Sequence, residues 1–217
     1  MQADYLIIGQ GISGTWLSYY LLQAGKSVIV LDDGNALAPS RLAAGIINPV
    51  TGRRHVTVWM AEELFPFLQE AYAAIGAELN ITAISEKTII DFFPSPQMRL
   101  SFQQRAEEDT TYVSLLKDEQ AWQHNFDFSF GCGQIAPAFT VHLDRLLPAW
   151  QKRLIDKDAF LTGVFQPELL TIKKDSITYD GINTGKIIFC DGAAAATLPW
   201  FNRLPFAPNK GELLLLD

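Results

Sequence analysis

An α/β fold is predicted by three features of this 217-residue chain. An apolar run ending in a glycine-rich turn, YLIIGQGISG, lies near the start; a second run, VIVLDD, follows one helix later; a third, KIIFCDG, comes after a set of short strands near the end. Apolar runs without polar alternation belong to strands buried on both faces of a parallel sheet. Between the second and third runs the chain changes character, so a β-rich insertion into the α/β frame is expected.

Tyr5–Ile8 is the first expected strand. Ile12, Trp16, Leu17, Tyr20, Leu21 and Ala24 recur at helical spacing, and Gly25 with Lys26 suits a helix C-terminus. Val28–Leu31 reads as the second strand, which makes residues 3–33 a Rossmann-like βαβ unit. Residues 34–57 hold glycine, proline, serine and alanine without periodicity, as in an extended functional loop with one short helix. From Val58 to Ile75 the pattern is helical, with a bend expected at Pro66 and an end at Gly76.

Strands are expected at Ser85–Phe93, Tyr112–Leu116 and Phe126–Ile135, with a helix-like piece at Gln97–Glu108. His142–Ile155 is amphipathic; Thr140 is its expected N-cap, and Pro148 is expected to kink it. Ala159–Phe165, Leu169–Lys173 and Ser176–Tyr179 then form a meander, which turns at Asp180-Gly181 into the buried strand Lys186–Cys190. The expected organisation is a discontinuous nucleotide-binding domain, residues 1–80 and 140–204, interrupted by a mixed-sheet domain, residues 81–139 with 205–217. Leu213–Leu216 reads as a strand that needs neighbours to pair and bury it. The chain is therefore expected to be a truncated product or a fragment.

Composition narrows the function classes. The net charge of −7 and the lack of a basic run disfavour nucleic acid as a partner. No apolar stretch reaches the ~20 residues of a membrane helix, and the N-terminus lacks a secretory leader, so a cytoplasmic protein without a membrane span is expected. Cys132 and Cys190 form no CxxC pair, and His55, His124 and His142 are scattered, so neither a disulfide framework nor a metal site is expected. Cys132 reads as a small apolar filler rather than a nucleophile.

The turn Gly9-Gln10-Gly11-Ile12-Ser13-Gly14 matches GxGxxG. Gly9 permits a sharp turn at the strand end, Gly11 a close approach of a pyrophosphate to the backbone, and Gly14 close packing of the helix on the sheet. The unpaired N–H groups of the helix start then face the anion. The motif is specific here because it joins a strand to a helix and is followed, roughly 20 residues on, by an acidic ribose ligand at a second strand end. Asp32 is the better ribose candidate, with Asp33 the adjacent loop residue. An acid at this position repels a 2′-phosphate, so NADP is disfavoured, while FAD and NAD both stay open.

Two later stretches bear on that choice. Ser40-Arg41-Leu42-Ala43-Ala44-Gly45 stands where a nicotinamide domain would continue with a regular helix, and its small residues allow a flat ring to approach the backbone. Ser40 and Arg41 add a hydroxyl and a charge near phosphates. Asp191-Gly192-Ala193 brings backbone amides back after the last buried strand.

With these segments, DYLIIGQGISG, VIVLDD, SRLAAGIINPVTGRR and KIIFCDGAA followed by PNKGELLLLD, the chain resembles FAD-dependent oxidoreductases of the D-amino acid oxidase type, which include glycine and sarcosine oxidases. The resemblance covers nearly the whole chain, although only residues 1–55 and 186–217 carry specific motifs. It implies FAD as cofactor and a substrate domain inserted into the FAD domain. By position it implies Gly9, Gly11, Ile12, Ser13 and Gly14 at the pyrophosphate and Asp32 at the ribose. Ser40, Arg41, Ala44 and Gly45 would run towards the flavin, Val164 or Phe165 would meet the adenine, and Gly192 would close over the cofactor. Ser18 stands where the family usually has alanine. Family members also extend well beyond GELLLLD, and that later segment supplies a cationic group for the substrate carboxylate.

The implied reaction is oxidation of an amine or amino acid, with hydride transfer to flavin, an imine product, and oxygen or another electron acceptor. Catalytic residues are not named by the sequence. Arg53 and Arg54 are the candidates for a substrate carboxylate, with a solvated loop or an ion pair to Glu62 or Glu63 as the rival reading. Alternatives kept open are a flavin-dependent 2-hydroxy acid dehydrogenase, an NAD-dependent dehydrogenase and a non-catalytic flavin-binding module. Oligomeric state is not legible.

Overall fold

The computed structural model describes residues 1–174, 176–209 and 211–215. In chain order the elements up to Ala43 are β1 (Gln2–Ile8), α1 (Ile12–Gln23), β2 (Val28–Asp32) and the single turn α2 (Pro39–Leu42). There follow β3 (Ile46–Ile47), β4 (Val50–Thr51), β5 (Val56–Thr57), α3 (Ala61–Leu79), β6 (Ile84–Phe92), α4 (Pro96–Glu108), β7 (Val113–Leu115), α5 (Gln120–Gln123) and β8 (Cys132–Val141). The chain continues with α6 (Leu143–Ile155), β9 (Phe160–Thr162), β10 (Leu170–Lys173), β11 (Ser176–Tyr179) and β12 (Ile182–Phe189), then a 3-10 turn at Gly192–Thr197. Contacts divide it into two units, Met1–Ala43 with Leu143–Asp217, and Ala44–His142.

The first unit is built on a six-stranded sheet in the order β10-β11-β12-β1-β2-β9. The pairs β12–β1, β1–β2 and β2–β9 are parallel, and β10–β11–β12 is an antiparallel meander. Leu6, Ile7 and Val30 are fully buried, as expected of apolar runs at the centre of a parallel sheet. The meander turns at Asp180 and Gly181, both with positive φ, which is the backbone of a two-residue hairpin turn.

Helix α6 buries Leu143, Leu146, Leu147, Trp150 and Leu154, an apolar stripe at the spacing its sequence announced, and it runs on through Pro148. Thr140 does not cap it: the residue lies inside β8, opposite Ser85. Ser18, the departure from the family's alanine, has a partner in this helix. Its Oγ accepts the Trp150 indole N–H at 2.8 Å, and both side chains are buried. A buried indole N–H needs such an acceptor.

The second unit contains an antiparallel sheet, β3-β8-β6 with β7 also on β8, and the β4–β5 hairpin. Helix α4 closes one apolar cluster through Phe102, packed with Val50, Phe93, Val113 and Ile135. Helix α3 closes another through Ala61 and Phe65, packed on Phe139. Two sequence expectations change here. Helix α3 does not end at Gly76 but continues to Leu79, where Asn80 takes the left-handed cap conformation at φ 54°. Gly76 is instead a close-packing position, since a Cβ there would stand 2.8 Å from the Ile81 carbonyl oxygen. The strand expected over Phe126–Ile135 begins only at Cys132. Ahead of it, Phe126 and Phe128 pack on Phe92 and give that stretch its apolar content without a ladder.

Residues 44–80 were expected with the nucleotide-binding part, but by contacts they group with the inserted sheet, because α3 packs on Phe139 and Ile84 there. By contacts the chain parts at 43/44 and 142/143. Gly211–Leu215 adopts no strand, and Leu213, Leu214 and Leu215 are exposed; Leu216, the rest of that expected strand, lies outside the described residues.

Candidate cofactor site

The site forms where β1, β2 and β12 end together in the first unit. Parallel strands with a helix after the first leave a crevice beyond their carboxyl ends, which is where open α/β sheets bind ligands. At the end of β1 the chain turns at Gly9, with φ 97°. A side chain at Gly9 would also meet the Cys190 carbonyl oxygen at 2.6 Å, so both conformation and space require glycine. Gly14 faces the Gly9 carbonyl with no room for a Cβ, which lets α1 sit close on the sheet. Gly11 precedes α1 without a side-chain cap, and no acidic residue occupies the first turn of the helix. The positive end of the helix dipole, and the early N–H groups other than that of Ile12, are thus left for an anion.

Ser40 stands directly over this turn. Its Oγ accepts the Ile12 N–H at 3.1 Å, which leaves the hydroxyl proton free to donate elsewhere, and it lies 2.9 Å from where a Gly11 Cβ would be. Asp32, at the end of β2, organises the same cradle. One carboxylate oxygen accepts the Gln10 N–H at 2.7 Å; the other accepts the Gly34 N–H at 2.9 Å and pairs with Arg41 at 3.1 Å. Asp33 is exposed and accepts the Asn35 N–H.

A cleft of about 460 Å3 is lined by Gly9, Gly11, Asp32, Asp33 and Ser40. Val164, Phe165 and Gly192 line it as well. An adjoining space of about 410 Å3 adds Ile12 and Ser13 and shares Gly11, Ser40 and Asp191 with the first. Both volumes fall in the range of small-molecule and cofactor sites. Phe165 is held by stacking on Tyr179 at 4.9 Å, while Val164 is largely exposed at the margin.

Of the residues expected from sequence, Gly14 and Arg41 support the cleft without lining it. Gly14 is buried under the turn, and Arg41 is engaged by Asp32. Ala44 and Gly45 belong to the second unit. Gly45 has a local reason to be glycine, since the Val141 backbone leaves no room for a Cβ and the Val141 N–H donates to the Gly45 carbonyl at 2.8 Å.

Two contributors escaped sequence reading. Gln10, fully buried, donates its amide to Thr15 Oγ1 at 3.0 Å and to the Leu147 carbonyl at 3.1 Å, which ties the glycine turn to α6. No motif flags a glutamine that acts across 137 residues. Asp191, expected only for its backbone, lines the cleft, and burial pushes its carboxyl pKa up. An acid directly after a buried strand was the available signal. Burial and the neighbouring Asp191 carboxylate also raise the Cys190 thiol, which keeps it a poor nucleophile.

Arg53 and Arg54 are exposed in the loop of the β4–β5 hairpin. The following residue, His55, is buried and shares a 2.7 Å hydrogen bond with Asp91 on β6. Neither arginine is paired with Glu62 or Glu63 among the described ion pairs.

The open parallel sheet, the glycine turn leading into a helix with no acid in its first turn, and the acid at the end of β2 define a dinucleotide-binding α/β protein. The chain matches the family described as FAD dependent oxidoreductase over residues 4–217, and it belongs to that family. Its cofactor is accordingly FAD, and the cradle fits it: an anion site at α1 continues into a cleft of cofactor dimensions.

Solved structures support the same fold. Glycine oxidase from Geobacillus kaustophilus is similar with a TM-score of 0.68 at 16% identity, covering 90% of this chain and 56% of that one. Glycine oxidase from Bacillus cereus gives 0.65 at 16% identity, with 93% and 58% covered. L-amino acid deaminase from Proteus vulgaris gives 0.61 at 16% identity, with 88% and 47% covered. The chain thus spans about half the length of these proteins. Among the described residues no helix is long and apolar enough to cross a membrane, and no cluster of metal-ligating side chains occurs.

Proposed function

We infer that this chain carries the FAD site of an oxidoreductase that acts on an amine or amino acid. The observation that carries the reading is the cleft at the ends of β1, β2 and β12, lined by Gly9, Gly11, Asp32 and Ser40. In this reading the turn at Gly9–Gly14 and the Ser40 hydroxyl hold the pyrophosphate. Asp32 receives the ribose, Asp33 lies beside it, Arg41 steadies Asp32, and Val164 and Phe165 border the adenine. Ala44 and Gly45 run towards the flavin, and Gly192 closes over the cofactor. When bound, FAD would supply a two-electron acceptor for the hydride equivalent lost from the carbon bearing the amine, with water hydrolysing the imine and oxygen or another acceptor taking the electrons.

The chain's own residues bind and orient. Arg53 and Arg54, on a hairpin held by the His55–Asp91 bond, are assigned to the substrate carboxylate, for which arginine offers a bidentate fork. The second unit is then the substrate part. A cytoplasmic location belongs to the same reading, in keeping with two free cysteines.

The test is to add FAD to the apoprotein, follow quenching of flavin fluorescence, and monitor anaerobic bleaching across amines, amino acids and 2-hydroxy acids. Bleaching by amines or amino acids is expected; bleaching by hydroxy acids alone would overturn the substrate class. A second reading, a non-catalytic flavin-binding module, draws on the coverage of only about half of the similar structures. It predicts bound FAD that no substrate bleaches.

A further inference from the structure

Asp191 follows β12 and stands at the N-cap of the 3-10 turn Gly192–Thr197. An aspartate at such a position ordinarily accepts an N–H from the turn it precedes. This side chain makes no capping bond, and its Oδ1 is buried with no hydrogen-bond partner. The residue lines both halves of the cleft, with Ile12, Ser13 and Ser40 in one and with Asp32 and Asp33 in the other. Buried polar oxygens left without a partner are rare in folded proteins and carry a free-energy cost.

The charges around Asp191 do not compensate it. Asp32 and Asp33, from the end of β2, face the same cleft, and Cys190 is the titratable neighbour on β12. Arg41 on α2 is paired to Asp32, and among the described residues no lysine, arginine or histidine lines either half. β1, β9 and the 3-10 turn contribute no ionisable side chain to the lining. A pyrophosphate entering the cleft brings further negative charge and only acceptor oxygens, so a hydrogen bond between the two requires a donor on the protein.

We propose that Asp191 acts in the cofactor site as a neutral acid, donating its O–H to a pyrophosphate oxygen, so that FAD binding takes up one proton. The inference rests on the reading of this cleft as the FAD site. It goes beyond that reading by giving the Asp191 side chain a role and FAD affinity a pH dependence. The carboxyl is already raised by burial before FAD arrives, and a bound anion raises it further. A group whose pKa is higher in the complex favours binding below its apoprotein pKa, and affinity falls as pH rises towards the pKa in the complex.

The experiment is titration of the apoprotein with FAD, followed by fluorescence quenching, from about pH 5.5 to 8.5 at fixed ionic strength. Calorimetry in two buffers of different ionisation heat reads the proton directly. Expected is a dissociation constant that rises by up to about tenfold per pH unit within the window, with uptake approaching one proton. Asp191→Asn, neutral at every pH and still a donor, should bind FAD independently of pH and more tightly than the parent at the alkaline end. The three histidines all lie in residues 44–142, and the Asn variant separates any contribution from them.

A parent dissociation constant that is flat across the window overturns the proposal. So does an Asn variant as pH-dependent as the parent, or one uniformly weaker, which would make the carboxylate an acceptor from a ribityl hydroxyl. Absence of FAD binding by either protein at any pH overturns the site reading itself, a result distinct from the others. If Asp191→Asn does not fold by circular dichroism, the parent's pH series and proton count decide.

Discussion

The two units solve the problem of polar groups in different ways. In the first, three parallel strands end at a cleft lined by glycines and small residues together with Asp32, Asp33 and Asp191. In the second, an antiparallel sheet is laced by side-chain pairs: His55 with Asp91, Ser85 with His142, and Arg105 with Asp109 and Thr57. The first arrangement leaves groups open for a ligand, whereas the second pairs side chains with one another, although His55 Nδ1 and Arg105 Nε stay buried without a partner. Binding of a large anionic cofactor should therefore depend on backbone geometry in one unit, and side-chain pairing should set stability in the other.

The largest effect should come from Gly14→Ala, which places a Cβ against the Gly9 carbonyl. Overpacking of this kind costs about 1–3 kcal/mol, and because it displaces the cradle, FAD affinity should fall at least about tenfold. Fluorescence titration and a thermal melt read both, and an unchanged affinity would break the comparison. Next in size, Ser18→Ala leaves the Trp150 indole N–H buried without its acceptor, a loss of about 1–3 kcal/mol seen as a lower midpoint in urea. FAD affinity should change less than in Gly14→Ala.

In the second unit, His55 and Asp91 should couple by about 0.5–3 kcal/mol in a double-mutant cycle of His55→Gln and Asp91→Asn, with FAD affinity unaltered. A large loss of FAD binding in either variant would show that the units do not divide the work in this way. The smallest stability effect belongs to Arg53→Ala and Arg54→Ala. Both side chains are exposed, so the melt should stay within about 0.5 kcal/mol of the parent. If they meet the substrate carboxylate, KM for amino acids should rise about tenfold or more while simple amines are spared.

Legibility follows the same division. The glycine turn at Gly9–Gly14 and the placement of Asp32 at a strand end could be read from sequence because they depend on local backbone and on a strand–turn–helix–strand spacing. Ser40 was legible from its place after the second strand. The bond between Ser18 and Trp150, and that between Gln10 and α6, could not be, since each joins residues more than a hundred positions apart. Gly76 was misread as a helix end because a glycine can serve either conformation or close packing, and only the neighbouring Ile81 carbonyl decides which. Phe126 and Phe128 imitated a strand because aromatic packing and a ladder select similar residues.

By itself, the sequence determined the α/β class, the strand-ending glycine turn, the acid at the second strand end and the family with its FAD cofactor. Those properties reside in short-range pattern, which neighbours along the chain set. Tertiary structure decided which contacts residues 44–80 make, how Asp32 and Arg41 share a charge, and that Asp191, a residue lining the cleft, keeps a buried oxygen without a partner. Burial and partnering are properties of what surrounds a group in space, and chain order does not specify those surroundings.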